Sequence, residues 1–91
     1  MKAFSLTLST PGGNVFQGEA VMLSVRGIAG ELAVLAGHIP FCTAVKAGKC
    51  RIALADDTDR VIVTDGGLLS VTEKGVTLLS GQMFFEDDEG E

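Results

Sequence analysis

The chain has 91 residues, of which 46% are hydrophobic, and its formal net charge is −5. A chain of this length forms one domain with one modest core, and its apolar content is too high for a disordered segment. No stretch approaches the roughly 18 consecutive apolar residues that a membrane helix needs, and the net negative charge disfavours nucleic acid as a partner. The composition predicts a single folded domain with no direct membrane insertion and no nucleic-acid binding.

Gly and Pro residues recur at short intervals and leave almost no room for helices of ordinary length. Between them apolar and polar residues alternate, as in residues 4–9, which is the pattern of a strand with one face inward. The alternation predicts strands over residues 3–9, 14–18, 20–26, 31–36, 41–46, 49–55, 60–65, 68–73 and 76–80. Many short strands at this spacing are typical of an all-β sandwich or barrel.

The two cysteines, Cys42 and Cys50, flank a predicted hairpin turn over residues 46–49. In that register Val45 faces Cys50, and Cys42 lies beyond the roughly 7 Å Cα limit for a disulfide. Both cysteines are therefore predicted to be free, buried thiols, which fits a reducing compartment.

Residues suited to catalysis, cofactor binding or metal binding are few. His38 is the sole histidine and lies in a predicted loop, and one histidine with two thiols is an incomplete zinc set. The glycines in residues 27–30 and 66–67 precede strands, not a helix whose N-terminus could face a phosphate, so they are expected to allow positive φ or close approach of the sheets. The sequence therefore predicts no catalytic, cofactor-binding or metal-binding residue.

Lys74, at the tip of a predicted hairpin, supports one alternative function. Biotinyl and lipoyl carrier domains are small, acidic and all-β, and they present a modified lysine at such a turn. The Met or Asp usually found beside that lysine is missing here, since the neighbours are Glu73 and Gly75. Glu-Lys-Gly is also an ordinary polar turn. The intact mass of the native protein would distinguish the two interpretations.

Five segments in a fixed order carry a further signal. Residues 15–20 read V-F-Q-G-E-A, and residues 30–41 read G-E-L-A-V-L-A-G-H-I-P-F. Residues 44–48 read A-V-K-A-G, residues 66–71 read G-G-L-L-S-V, and residues 76–79 read V-T-L-L. In order, spacing and position these segments resemble the N-terminal β-sandwich domain of ATP synthase epsilon subunits, which are called delta in mitochondria.

The resemblance implies a flattened sandwich of two antiparallel five-stranded sheets over residues 1–81, followed by a short acidic tail over residues 82–91. It also implies a non-catalytic subunit of the central stalk of an F-type ATP synthase, in complex with the alpha and beta subunits. In this role Glu31 would face the polar loops of the membrane c-ring, while His38 and Thr43 would lie on the side of the gamma subunit. Rotation of gamma would be coupled through this domain to the c-ring.

The chain departs from the family pattern at three points. Ala36 and Ala47 replace prolines, which is expected to cost about 0.4 to 1 kcal/mol each and to leave the fold intact. Family members commonly continue into a two-helix hairpin that inhibits ATP hydrolysis and in some members binds ATP. Here residues 80–85 are followed by acidic residues, so neither property is expected.

Two expectations follow for location and for an alternative function. The N-terminus lacks the charged start and continuous apolar stretch of a signal peptide. The resemblance then implies a peripheral subunit on the cytoplasmic face of a bacterial cell membrane. The departures leave open a stand-alone interaction domain that has this fold and does not belong to the ATP synthase.

Overall fold

A computed structural model describes residues 2–37 and 39–86. These residues form nine β-strands and no α-helix. The strands are β1 (Phe4–Thr10), β2 (Gly13–Gly27), β3 (Gly30–Leu35), β4 (Phe41–Val45), β5 (Gly48–Leu54), β6 (Asp59–Thr64), β7 (Gly67–Thr72), β8 (Gly75–Ser80) and β9 (Met83–Phe85).

The long strand β2 belongs to two layers. Its first half pairs with β1, from Gly13 opposite Thr10 to Ala20 opposite Phe4, and its second half pairs with β3 and β5. One layer has the order β2-β1-β8-β7-β4, and the other has the order β3-β2-β5-β6-β9. Because β2 counts once in each layer, the nine described strands fill ten strand positions. The predicted all-β sandwich of about ten strands is confirmed.

Two details of the strand pairing differ from the predictions. Residues 14–18 and 20–26 were predicted as two strands, but the backbone stays extended between them and they form one strand. The resemblance implied antiparallel sheets, yet β1 and β8 are parallel, while every other pairing of described strands is antiparallel. No turn joins β1 to β8, so nothing in the local chain forces them to run in opposite directions.

The predicted hairpin between β4 and β5 is wrong. Strand β4 pairs with β7, and β5 pairs with β2 and β6. The link over residues 46–47 crosses from one layer to the other, and the Lys46 N–H donates to the Arg26 carbonyl at 2.8 Å. Gly48 has φ +149°, a conformation that suits this crossing. A glycine between two strands is also typical of a hairpin turn, which explains the wrong prediction.

Strand β9 continues the second layer where the sequence predicted the start of an acidic tail. It pairs with β6, and Met83 is buried in the core. Three residues are too few for a recognisable alternation, which is why the sequence did not reveal this strand. The division predicted at residue 81 thus falls between two strands of the sandwich. Residues 87–91 lie outside the described residues.

Aromatic and ionic contacts hold β9 against the rest of the sandwich. The rings of Phe16 and Phe85 meet edge to face with centroids 6.1 Å apart, and the Arg60 guanidinium lies 4.0 Å above the Phe85 ring. Lys49 and Glu86 form an ion pair at 2.9 Å. Because Phe16 lies on β2 and Phe85 on β9, the aromatic contact closes one side of the sandwich.

A single apolar core fills the space between the layers. Both layers contribute to it through their inward positions: Leu6, Leu8, Ala20, Leu23, Val25, Val34, Val45, Cys50, Ile52, Ile62, Leu69, Val71, Val76, Leu78 and Met83. The buried polar side chains of Thr64 and Ser80 are hydrogen-bonded to each other. The core therefore contains no unsatisfied side-chain polar atom among the described residues.

A polar cluster joins the β6–β7 turn to the β8–β9 turn. The Ser80 hydroxyl lies 2.9 Å from an Asp65 carboxylate oxygen and 2.7 Å from the Gly66 carbonyl oxygen. The Gln82 N–H donates to Asp65 at 3.1 Å. These donors, the Gln82 N–H first and the Ser80 hydroxyl second, lower the pKa of Asp65 below its ordinary value. The cluster fixes the two turns beside each other.

Gly66 and Gly67 are needed for backbone conformation and close strand packing, as the sequence predicted. Gly66 has φ +105°, a left-handed conformation that disfavours other residues. A Cβ added at Gly67 would collide with the carbonyl of Leu79 on the neighbouring strand β8. The pair therefore allows β4, β7 and β8 to approach at the point where the chain enters β7.

We expect Gly67→Ala to lower the free energy of unfolding by about 2 to 3 kcal/mol, because backbone rather than a flexible side chain must move. Gly12→Ala is the matched control, since a Cβ there meets only the Thr10 hydroxyl at 3.8 Å. Urea denaturation of the two variants and the wild type measures the difference. Equal midpoints for Gly67→Ala and Gly12→Ala would contradict this packing argument.

Candidate interaction surfaces

The sandwich has two ends at which different loops cluster. The strand registers bring the β1–β2, β2–β3, β6–β7 and β8–β9 turns and the β4–β5 link to one end, which we call the Glu31 end. The β3–β4 loop and the β5–β6 and β7–β8 turns lie at the opposite end. The molecule measures 34 × 28 × 25 Å along its principal axes, so contacts at the two ends can engage different partners.

Glu31 is an exposed residue immediately after the β2–β3 turn. Its cross-strand partner is Arg26, and the two face the same shallow depression of about 310 Å³. Lys49 and Arg51 border the depression as well, and each forms an ion pair, with Glu86 at 2.9 Å and with Asp59 at 3.4 Å. These pairs are solvent-exposed and add little stability. The Glu31 carboxylate is accessible to a partner at this end.

Thr43 lies on β4 and is half-buried. Its partner across the sheet is Leu69, which belongs to the core, so the Thr43 side chain points to the inner side of its layer. Its hydroxyl lies 3.4 Å from the carbonyl of Ala44. A partner that approaches β4 from outside would therefore reach Cys42 and Ala44 before the Thr43 side chain.

His38 lies outside the described residues. The residues on either side of it belong to the β3–β4 loop at the end opposite Glu31. Gly37 has φ +83°, and the Ile39 side chain is 78% exposed. The structure thus separates Glu31 from the loop around residue 38 by the length of β3.

The outer face of the first layer is free of charged residues on strands β1, β4, β7 and β8, and we call it the hydroxyl face. Six of its members are hydroxyl residues and the remainder are small or apolar. Its outward positions are Ser5, Thr7, Ser9, Cys42, Ala44, Leu68, Ser70, Thr72, Gly75, Thr77 and Leu79. Exposed positions of a solvated sheet normally include Lys, Glu or Arg. Depletion of charge marks the centre of many protein interfaces.

The outer face of the second layer has the opposite character. Its outward positions include five charged side chains on β2, β3, β5 and β6: Arg26, Glu31, Lys49, Arg51 and Asp59. The layers therefore differ in what they offer to a partner or to water. Sequence reasoning noted the Ser and Thr alternation in β1 but did not predict this face, since only strand pairing brings the outward positions of four strands together.

Leu68 and Leu79 form an exposed apolar pair on the hydroxyl face. They are direct cross-strand partners on β7 and β8 and are 46% and 47% exposed. With Pro11 they line a shallow depression of about 520 Å³ near the Glu31 end. A cross-strand leucine pair without a covering element is a typical anchor for a protein partner.

The described residues contain neither a cluster of metal ligands nor a membrane-spanning helix. No group of three or more His, Cys, Asp or Glu side chains within residues 2–37 and 39–86 could hold a metal ion. Among those same residues no helix is long and apolar enough to span a membrane.

The cysteines differ in environment, which corrects one prediction. Cys42 is exposed on the hydroxyl face, with its sulfur 3.7 Å from the Ser70 hydroxyl oxygen, whereas it was predicted to be buried. Its side chain points outward because successive side chains of a strand alternate, and Val45, three residues further along β4, points into the core. Cys50 is buried as predicted, and burial raises the pKa of its thiol to about 11. Both thiols are free.

Lys74 lies in the two-residue turn between β7 and β8, where the sequence predicted it. The Thr72 hydroxyl accepts the Lys74 N–H at 3.1 Å and donates to the Gly75 carbonyl at 3.1 Å. These bonds stabilise the turn in the same way as the local side-chain bonds of ordinary β-hairpins. The geometry gives no particular support to the carrier hypothesis.

Comparisons with known proteins agree on one family. The family model described as "ATP synthase, Delta/Epsilon chain, beta-sandwich domain" matches residues 3–86. The ATP synthase epsilon chain of Bacillus pumilus (strain SAFR-032) is 39% identical over 80 residues, which are 88% of this chain and 60% of the relative. The epsilon chain of Priestia megaterium is 39% identical over 80 residues, with 88% of this chain and 59% of the relative covered.

Solved structures show the same fold at lower identity. A chain of the Euglena gracilis mitochondrial ATP synthase, in a structure of OSCP, F1 and c-ring, aligns with a TM-score of 0.87 and 22% identity over 98% of this chain and 56% of its own. A chain of the Tetrahymena thermophila mitochondrial ATP synthase, in a structure of central stalk and c-ring, aligns with a TM-score of 0.75 and 15% identity over 96% of this chain and 72% of its own.

We expect the two thiols to react with a maleimide at very different rates, because only Cys42 is exposed and burial keeps Cys50 protonated. One thiol should be labelled quickly in the native protein and the second only after unfolding, and Cys42→Ser should remove the fast event. Intact mass spectrometry over time gives both rates. Rapid labelling of Cys50 in the native Cys42→Ser variant would contradict its assigned burial.

The raised pKa of Cys50 also predicts a loss of stability at high pH. Above pH 9.0, the ordinary value, the unfolded chain releases the Cys50 proton while the folded chain retains it up to about 11. The free energy of unfolding should therefore fall as the pH rises from about 9 to 11. Urea denaturation at several pH values should show a smaller decline for Cys50→Ala than for the wild type. Identical declines would contradict the prediction.

Proposed function

Because the chain belongs to the family of the ATP synthase delta/epsilon chain β-sandwich domain, we propose that it is a non-catalytic subunit of the central stalk of an F-type ATP synthase. In this role it transmits the rotation of the gamma subunit to the membrane c-ring during ion-driven ATP synthesis. The observation that carries the proposal is the match to the family over residues 3–86, joined to the two-layer sandwich that these residues form.

The chain spans about three fifths of the length of the curated relatives that it matches. The proposal therefore concerns what the sandwich itself can do. It does not extend to activities that depend on the remaining two fifths of those relatives.

A stalk component must resist torsion, and the fold supports that requirement. Strand β2 is hydrogen-bonded into both layers, so one layer cannot rotate on the other without breaking its ladder. The link at Lys46–Arg26 and the Phe16–Phe85 contact close the two remaining sides. Close-packed interiors have low compressibility and transmit strain, so the sandwich behaves as a stiff connector.

The two ends and the two faces provide separate contacts for two partners. We place the c-ring at the Glu31 end, where the exposed carboxylate lies beside Arg26, and polar loops would meet a polar surface. We place the gamma subunit toward His38 and Thr43, with the uncharged hydroxyl face as the adjoining contact area. A large partner that covers this face buries no unpaired charge, which favours a stable interface.

In this arrangement the chain is a peripheral component on the cytoplasmic face of a bacterial cell membrane. The alpha and beta subunits belong to the same complex. Support for this location comes from the bacterial relatives and from the family.

Affinity capture of the tagged chain from its own cell extract tests the proposal. Recovery of the gamma subunit with alpha and beta, identified by mass spectrometry, is the expected outcome. Recovery of none of them from an extract that contains intact ATP synthase would favour the stand-alone interaction domain instead. A mass increase on Lys74 in the captured chain would revive the carrier hypothesis.

We expect Glu31→Lys to weaken attachment of the F1 sector to the membrane while the melting temperature stays nearly unchanged. An exposed substitution of this kind alters the free energy of unfolding by about 0.5 kcal/mol or less. Glu19→Lys is the matched control, since it makes the same charge change at an exposed strand position away from the Glu31 end. Membrane-bound ATPase activity and differential scanning fluorimetry measure the two effects. Normal attachment of Glu31→Lys, or equal loss with Glu19→Lys, would contradict the assignment.

A further inference from the structure

Strand β3 is an edge strand whose outer backbone groups have no partner in the sheet. It hydrogen-bonds to β2 on one side only. In an antiparallel pair, residues that exchange both hydrogen bonds alternate with residues that exchange none. Gly27 and Gly30 close a two-residue turn and form a bonded pair, so Arg26 and Glu31 form a non-bonded pair.

The direction of the Arg26 carbonyl agrees with the assignment of Arg26 and Glu31 as a non-bonded pair. This carbonyl accepts the Lys46 N–H at 2.8 Å and therefore points away from β3. By the same alternation the N–H and C=O groups of Glu31, Ala33 and Leu35 point away from β2. No described backbone hydrogen bond outside the strand ladders involves these three residues. The outward N–H groups of these three residues and the outward carbonyls of Glu31 and Ala33 thus line one edge among the described residues.

The other edges carry features that limit pairing, and β3 does not. Strand β9 has only three residues, and β4 lies between Pro40 and Lys46. The first half of β2 contains a bulge opposite β1. Strand β3 has six residues, no Pro, no Lys and no bulge. Natural proteins usually block long, regular edges, so an unblocked edge indicates use in pairing with another chain.

The side chains beside the free backbone groups define the kind of partner. Along the outward positions of β3 lie an acidic residue, a small residue and a leucine that is 50% exposed: Glu31, Ala33 and Leu35. A partner strand with a basic residue opposite Glu31 and apolar residues opposite Ala33 and Leu35 complements this order. Such cross-strand pairs are the units that stabilise a sheet.

A second copy of the chain fits this edge poorly. Antiparallel self-pairing centred on Ala33 places each Glu31 opposite Leu35 of the copy, and a register centred on Glu31 places two carboxylates opposite each other. Like charges directly opposite are destabilising, and a carboxylate against leucine has no compensating partner.

From the free edge and its side-chain order we infer that β3 binds an extended segment of a partner protein by strand addition, with a basic residue of that segment paired to Glu31. That this partner is the c-ring, which is placed at the Glu31 end, rests on the proposed function. The mode of binding is a property of the edge itself. Strand addition would also explain how one exposed carboxylate achieves a defined register, because backbone bonds at Ala33 and Leu35 fix the partner beside it.

Ala33→Pro tests the inference, because proline removes the outward N–H at position 33, leaves the bonds to β2 intact and is tolerated on edge strands. Ala33→Val is the matched control, since it retains the N–H and suits a strand. Recovery of the c-ring with the tagged full chain from detergent-solubilised membranes should fall about fivefold or more for Ala33→Pro, as expected for a lost hydrogen bond and a bulky ring at the edge, while recovery of gamma should not fall. Ala33→Val should capture as the wild type does.

Hydrogen exchange of the assembled wild-type complex provides a second readout that does not depend on how Ala33→Pro folds. The amides of Glu31, Ala33 and Leu35 should exchange about tenfold or more slowly in the complex than in the isolated chain, as expected for newly bonded groups. Unchanged exchange at all three amides, or wild-type recovery of the c-ring by a folded Ala33→Pro variant, would overturn the inference.

A binding experiment with a synthetic peptide distinguishes failure of the inference from failure of the proposed function. The probe is the blocked peptide Thr-Val-Thr-Val-Thr-Lys-Thr, whose antiparallel register places Val, Val and Lys opposite Leu35, Ala33 and Glu31. Saturable shifts of those three amides in nuclear magnetic resonance spectra, weakened when Lys is replaced by Glu, support the edge even if the wild type captures no ATP synthase subunit. Shifts confined to other strands would overturn it.

Discussion

Hydrogen bonding of β2 to strands of both layers is the constraint on which the arrangement of the domain depends. Its first half pairs with β1 and its second half with β3 and β5, so the two layers share one continuous backbone. A domain of this size has only a modest core, and a shared strand adds a covalent tie between the layers. The Phe16–Phe85 contact and the Lys46–Arg26 bond then close the sides. The position of every surface described above follows from this frame.

The frame separates surfaces that differ in chemistry. The hydroxyl face carries no charge on four strands, whereas the opposite face carries Arg26, Glu31, Lys49, Arg51 and Asp59. A subunit that turns with its partners has to hold them without slipping, and separate, chemically distinct contacts provide for that. An uncharged face suits a broad, permanent interface, and a charged end suits polar loops that must be recognised without deep burial.

The proposed strand addition at β3 and the proposed carboxylate contact at Glu31 form one physical arrangement. Side chains alone hold a flexible partner loosely, because each immobilised side chain loses conformational entropy. Backbone bonds along an edge fix register at once, and the side chains then contribute specificity. Glu31 is the second residue of β3, directly after Gly30, and this location at the start of the strand edge places both kinds of contact at the same end.

The sequence by itself determined the all-β class, most strand positions and the turn residues, because alternation and glycine conformations are local properties. Gly66 and Gly67 were interpretable from their neighbours, and the family motifs indicated Glu31 as exposed. Only the tertiary structure decided that β4 pairs with β7, that no other element covers Cys42 on the outer face of that layer, and that β9 closes the second layer. These outcomes depend on pairing between strands far apart in the chain, and strand alternation does not specify which strands become neighbours.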